Sequence, residues 1–442
     1  MTQVLPAPPP VAVAAAAPRR LLPVLPVLAL VATLALPVPG GADGAGGGTV
    51  ADAVSGLVVV CCAVRLVRGR RRPLSRTAAV VLGVPVAGIA VATAGAASAG
   101  AGAEGLVRYL QIFVLVPAAV MLLIRDRRDA RLLAWSLVGL ALWQGTLGVH
   151  QYVTGTGASY QGEMIRAVGT FGPTDIMGMA AVVSFGLVCA LGLALGSGPT
   201  RQRTAAAVCA LALLLPLALS FSRGAWIATA VTCGAQLALA GMRRAVRVLA
   251  AVAAAAVVLV GGLGVGTAML QERISSITQV AQAPDQSVTD RYTMWTAAVD
   301  MWRGRPLTGV GLKGFPDHRD GHASLALSSG SDTDGAGAGF HRQPLLSPHN
   351  MYLLVLSEQG LLGLLALAGG WLALLVRGLR RLVRARRSRS GLDCALAACG
   401  VLLWQLVDFV YADIGGPSTV LTALVLGLAA WWALASEGAG ER

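Results

Sequence analysis

The residues best placed to do chemistry in this 442-residue chain are one histidine and a few arginines. Ser347, Pro348, His349 and Asn350 lead into an apolar run over 351–376. Ser347 suits an N-cap and Pro348 a first helical position, so the spacing predicts His349 in the first turn of a helix. The helix dipole and free N–H groups there favour an anion, and a neutral imidazole can take a proton from a hydroxyl. The plainer alternative is an interfacial histidine that only snorkels.

Arg223 sits in Ser220-Phe221-Ser222-Arg223-Gly224-Ala225, where two apolar runs meet with almost no loop. An arginine in so tight a hairpin costs roughly a few kcal/mol if it faces lipid, so it should face the bundle and meet a partner. That partner is either an anionic ligand or a structural carboxylate such as Glu358 or Asp408. Arg291 follows Thr289 and Asp290, either of which can cap a helix. On a helical period Arg291, Trp295, Ala298 and Trp302 share one face, as in an interfacial helix lying on a bilayer. Arg166 opens a short segment, 166–173, ahead of another apolar run. Glu358 lies about 13.5 Å along the helix from His349 and half a turn round, too far to be its direct partner. It is expected to pair with an arginine inside the bundle, or to mark a close helix approach beside Gly360 and Gly363.

The elements that must position these residues are membrane helices. With 55% hydrophobic and 13% charged residues, the composition excludes a soluble enzyme on a single anchor. The expected fold class is all-α: a polytopic transmembrane helical bundle with one long extracytoplasmic loop containing short amphipathic helices. Twelve spans are expected, at 21–38, 49–67, 77–98, 105–124, 132–153, 174–195, 204–221, 224–241, 248–270, 350–376, 392–411 and 418–435. The organisation read from them is a cytoplasmic N-terminal segment (1–20), spans one to nine (21–270), the large outer loop (271–348), spans ten to twelve (349–435) and a cytoplasmic tail (436–442). The first apolar run could instead be a signal peptide, but no clear small-x-small cleavage site follows it.

Charge orients this array. Arginines cluster at 19–20, 65–76, 125–131, 201–203, 243–247 and 377–389, and all six clusters fall on one side if the twelve spans are real. The positive-inside rule makes that side the cytoplasm. The net charge of +14 is then a topological signal and a contact with anionic membrane lipid, not a footprint for nucleic acid. Ten basic residues defy the bias by lying on the outer side: Arg108, Arg166, Arg223, Arg273, Arg291, Arg303, Arg305, Lys313, Arg319 and Arg342. Binding an anionic ligand is the leading physical reason for them.

All seven cysteines fall inside expected spans, so no disulfide framework holds the outer loop. Asp317, His318, Asp320, His322 and His341 could in principle hold a metal, but Gly321 weakens the helix that would align His318 with His322. The expectation is no metal and no cofactor. The Ser/Gly/Ala/Asp-rich stretch 321–339 reads as a mobile insert.

The order of these parts resembles the O-antigen ligase and polymerase-like membrane glycosyltransferases. An Arg-x-x-Gly-Thr-Phe stretch (166–171) precedes a span, and a Ser-Arg-Gly hairpin (222–224) follows. Then come Arg-x-x-x-Trp (291–295), Pro-Leu-x-Gly-Val-Gly (306–311), His-Asn-x-Tyr-Leu (349–353) and Glu-x-Gly-x-x-Gly (358–363). The resemblance covers roughly 160–365. It implies an inverting, metal-independent transfer from a polyprenyl-diphosphate-linked glycan donor to a hydroxyl of a glycan or lipid-linked acceptor, outside the cytoplasmic membrane. His349 would be the base, and Arg223, Arg291 and Arg166 would hold the diphosphate. Asn350, Trp295 and Glu358 would support them. A polytopic transporter or flippase is the competing class, although it should carry ionisable groups near mid-membrane and show repeated halves.

Overall fold

The computed structural model describes residues 22–37, 49–69, 74–160, 164–172, 175–241, 245–248, 250, 286–324, 327, 331–335, 342–343, 345–388, 390–416 and 418–435. Its helices, in chain order, are α1 (Leu25–Thr33), α2 (Val50–Gly69), α3 (Arg76–Ala94), α4 (Ala99–Leu123), α5 (Arg127–Thr154), α6 (Ile176–Leu195), α7 (Thr200–Leu219) and α8 (Arg223–Ala240). They continue with α9 (Gln286–Gly304), α10 (Phe315–His322), α11 (Met351–Ser388), α12 (Leu392–Asp408) and α13 (Thr419–Leu434). Seven of the described helices are long and apolar enough to cross a membrane: α2 to α7 and α11.

Helices stand at eleven of the twelve expected spans. The ninth, at 248–270, lies almost wholly outside the described residues. The first is the clearest departure, because its helix has only nine residues. At 1.5 Å per residue such a helix covers less than half of a hydrocarbon core about 30 Å thick.

Apolar burial sorts the helices into layers. α6 is buried along most of its length and α13 along all of it, whereas α2 turns Leu57, Val60, Val64 and Val67 outward. Glycines let the central helices touch: a Cβ on Gly192 of α6 would come within 2.8 Å of the Ala397 nitrogen on α12. Small residues at helix crossings are how membrane helices gain van der Waals contact without a hydrophobic driving force.

Two irregularities interrupt the helices beside the site. α4 contains a π-helical turn at Gln111–Leu115. α11 is broken at Gly360, whose φ of 65° and ψ of −165° are not helical. Four short strands were not anticipated from the sequence: β1 (Ala158–Tyr160), β2 (Met164–Arg166), β3 (Ser331–Gly335) and β4 (Arg342–Gln343), in the order β2-β1-β3-β4. They are short additions to an otherwise helical fold, as the all-α expectation has it. They also give part of the Ser/Gly-rich insert a defined place, since β3 pairs antiparallel with β1 and ties the insert to the segment ahead of Arg166.

Candidate active site

His349 is not in the first turn of its helix. α11 starts at Met351, and Asn350 is the cap: its side-chain oxygen accepts the Leu353 N–H at 3.1 Å and its carbonyl the Leu354 N–H at 2.9 Å. His349 stands one residue outside with a φ of +47°, a left-handed conformation that a side chain disfavours. Such strain, on the order of 1–3 kcal/mol, persists only when neighbours over-determine it. Here they do. The Trp295 indole donates to the Pro348 carbonyl at 2.9 Å, and the Met351 N–H donates to the carbonyls of Phe409 and Ala412 at 2.8 and 3.0 Å.

α9 therefore presents its expected face to the turn. It begins at Gln286, ahead of the Thr289/Asp290 start read from the sequence, and runs through Arg291 and Trp295. Tyr292 stacks edge-on to Trp295 at 5.6 Å and holds the indole in place. Burial, the largest effect, holds the His349 imidazole below its usual 6.5; the Asp413 carboxylate pulls it back up and the Arg291 guanidinium pushes it further down. The helix dipole is not needed to keep the ring neutral. Asp413 is a residue the sequence reading missed; its only signal was a lone carboxylate in the short polar segment between α12 and α13.

The Pro-Leu-x-Gly-Val-Gly and Glu-x-Gly-x-x-Gly motifs turn out to be two sides of one seam. The break at Gly360 frees four backbone groups of α11, and the loop takes up all four. Ser357 and Glu358 carbonyls accept from Val310 and Gly311 at 2.8 and 3.0 Å, while Leu361 and Leu362 N–H groups donate to Pro306 and Leu307 at 2.9 and 3.2 Å. Pairing is obligatory here, since buried backbone groups are costly to leave unmade. The glycines are required by contact: a Cβ on Gly309 or Gly360 would strike the facing backbone of Glu358 or Leu307.

Glu358 Oε1 accepts the Phe315 N–H at 3.2 Å at the start of α10, so the carboxylate holds loop backbone. Of its two expected roles the close helix approach is seen, since a Cβ on Gly88 of α3 would lie 3.0 Å from Gly363 of α11. α10 itself forms despite Gly321, and His318 Nδ1 lies 2.9 Å from the Gly314 carbonyl. No group of three or more candidate metal ligands comes together among the described residues.

Several of the ten basic residues expected on the outer side have carboxylate partners, which removes the need for an anionic ligand at those positions. Arg108 pairs with Asp52, Lys313 with Glu104 at 2.9 Å, Arg303 with Asp300 at 2.9 Å and Arg319 with Asp320 at 2.8 Å. Arg273, and the side chains of Arg166 and Arg342, lie outside the described part.

Arg223 is half-buried at the first position of α8, behind a Ser222 cap whose Oγ accepts the Ala225 N–H at 3.2 Å. The hairpin packs on the segment that carries Asp413: a Cβ on Gly224 would lie 3.3 Å from Tyr411. Asp175, the residue before α6, reaches the same segment, with Oδ2 accepting the Ser418 N–H at 2.8 Å.

The Arg-x-x-Gly-Thr-Phe stretch is fastened by two glutamines of α5. Gln151 Oε1 accepts from Val168 and Gly169 at 3.1 and 2.8 Å, and Gln144 Oε1 accepts from Thr170 at 2.9 Å. Gly169 has a φ of +62°, and a Cβ there would strike Gln144.

Residues 207–368 match the family model described as O-antigen ligase. That segment is similar to the O-antigen ligase family. The match runs from α7 to the middle of α11, and so takes in the Ser-Arg-Gly hairpin, α9, the seam and His349. No curated protein matches the chain. The O-antigen ligase match and the apolar helices together support a multi-pass membrane protein.

Proposed function

We propose that the protein moves a glycan from a polyprenyl-diphosphate carrier to an acceptor hydroxyl at the outer face of the cytoplasmic membrane, with inversion and without a metal. The observation that supports this most is the His349 turn: a strained imidazole, held neutral by burial, with an arginine close enough to act on it. In the transfer, the acceptor oxygen attacks the anomeric carbon and the bond to the diphosphate breaks. The acceptor proton passes to His349, and the imidazolium so formed is stabilised by Asp413. Charge develops on the diphosphate as it leaves. Arg291 and Arg223 meet it, because guanidinium forks match phosphate oxygens and stay charged at any working pH. Arg166 completes the rim. Trp295 and Asn350 fix the His349 turn, and Glu358 fixes the loop beside it.

The test is transfer by purified protein in lipid from a polyprenyl-diphosphate glycan to a defined acceptor, with chelator present. His349→Ala should abolish product while leaving the protein folded. Full activity in that variant would remove His349 as the base, and substrate translocation without a new glycosidic bond would point to a carrier. Whether the acceptor is a growing glycan or a finished surface lipid sets polymerase apart from ligase, and the same assay run with each acceptor distinguishes them.

A further inference from the structure

Behind the His349 turn lies a polar group that the transfer mechanism does not use. Tyr109 is 3% exposed and Gln359 1% exposed. The Tyr109 hydroxyl, both amide atoms of Gln359 and Oδ2 of Asp413 are buried and make no hydrogen bond of ordinary geometry to the described residues. They are neighbours: the Gln359 side chain lies within loose hydrogen-bonding reach of the Tyr109 hydroxyl, and Asp413 acts on that hydroxyl as a charge. Each is placed by an irregularity. Tyr109 comes just before the π-turn of α4, Gln359 just before the break in α11, and Asp413 just after Ala412, whose carbonyl caps α11. The surroundings are otherwise aromatic, with Tyr109, Phe113, Trp371, Phe409 and Tyr352 in successive ring contact at 5.0 to 6.5 Å.

A buried polar atom without a partner costs about 1–3 kcal/mol, so a buried cluster as poorly bonded as this one is costly when dry. Its atoms also match what an internal water needs, which is two to four polar partners. Donors and acceptors are both present: a hydroxyl, an amide N–H pair, an amide oxygen and a carboxylate oxygen.

We propose that Tyr109, Gln359 and Asp413 enclose one or two internal waters, and that through them Tyr109 and Gln359 are positioning residues for Asp413 and hence for His349. The water site is independent of the transfer reaction; its consequence for His349 rests on the function proposed above. The charged groups acting on His349 are Asp413 and Arg291, and Glu358 and Asp408 in turn face Asp413. Removing the Tyr109 hydroxyl strips hydrogen bonding from the Asp413 carboxylate. A less solvated carboxylate holds the His349 imidazolium more strongly, so the acid limb of transfer should move to higher pH.

Radiolytic hydroxyl footprinting of the full chain in nanodiscs reads the water directly, because a buried side chain is modified only where water sits against it. Tyr109 should be modified at least about tenfold faster than Phe185, which is similarly buried at 1% exposure and is in ring contact with Trp404. Rates within twofold of each other would overturn the water site. Tyr109→Phe, and independently Gln359→Met in case the first variant folds poorly, should raise the midpoint of the acid limb and lower kcat with KM unchanged. Rapid labelling of Tyr109 with both variants keeping the wild-type pH profile would refute the positioning role. Rapid labelling in a protein that makes no glycosidic bond would leave the water site standing and sink the transfer function.

Discussion

Gly360→Ala is the most direct attack on the architecture. At φ 65° and ψ −165° Gly360 occupies a region open essentially to glycine, and an alanine Cβ would strike the Leu307 carbonyl. The backbone penalty alone is about 1–3 kcal/mol. Alanine also offers an escape, since a healed helix would return the Leu361 and Leu362 N–H groups to Ser357 and Glu358 within α11. The loop would then lose four backbone hydrogen bonds, each with a net worth of about 1 kcal/mol. The water that can replace them offsets part of this, leaving a shift of about 2–4 kcal/mol against the docked loop, or about 30- to 1,000-fold in its population. Trypsin reports on it, because Lys313, followed by Gly314, ends the seam and is exposed. Gly360→Ala should be cut there much faster and should lose transfer in proportion, while remaining inserted. Gly369→Ala, at a helical position with open space, is the control and should change neither. Wild-type transfer and wild-type cleavage in Gly360→Ala would refute the idea that the break exists to seat the loop.

Other outcomes follow from the same geometry. With His349 as the proposed base, the transfer rate should fall as pH drops through a midpoint below 6.5; Asp413→Asn removes the pull upward and should move the midpoint lower still, measured as initial rate against pH. Trp295→Phe removes the bond to Pro348 and should cost about 1 kcal/mol, or about fivefold in kcat, with donor KM little changed. Arg223→Lys keeps the charge but loses the fork, and should be severely impaired in donor saturation assays. Cysteines placed in the 271–348 loop should react with an impermeant reagent from outside intact cells; labelling only after permeabilisation would invert the topology.

Hydropathy made the helices legible because a membrane span is a long, low-frequency signal. Each of α2 to α8 and α11 to α13 coincides with an apolar run, and even the motifs on α9 pointed at the right face. Local backbone detail was not legible. Pro348 looked like a first helical residue, yet Asn350 makes the better cap and leaves His349 left-handed outside the helix. Glu358 looked like an ion-pair partner because the sequence shows charges, whereas the loop amides that satisfy it are invisible in residue types. Arg108 looked like a ligand-binding cation until Asp52, 56 positions away, proved to be its partner. Asp413 and Tyr109 escaped notice for the same reason: single polar residues near apolar runs mean little until the fold brings them together.

Among the described residues, only Phe221, Lys313 and His349 are non-glycines with positive φ. One abuts the Ser-Arg-Gly hairpin, one closes the seam and one carries the imidazole. The loop and the bundle are therefore not separable modules, because each completes backbone conformations that the other could not hold alone. Exchanging the loop between homologues to alter acceptor choice should fail when the cut is made at the visible ends of the loop. A transplant that also carries the matching half of α11, through Gly363, keeps both edges of the seam from one parent. The natural unit of exchange thus crosses the apparent membrane boundary, and specificity in this fold should travel with a membrane helix and not with a surface loop.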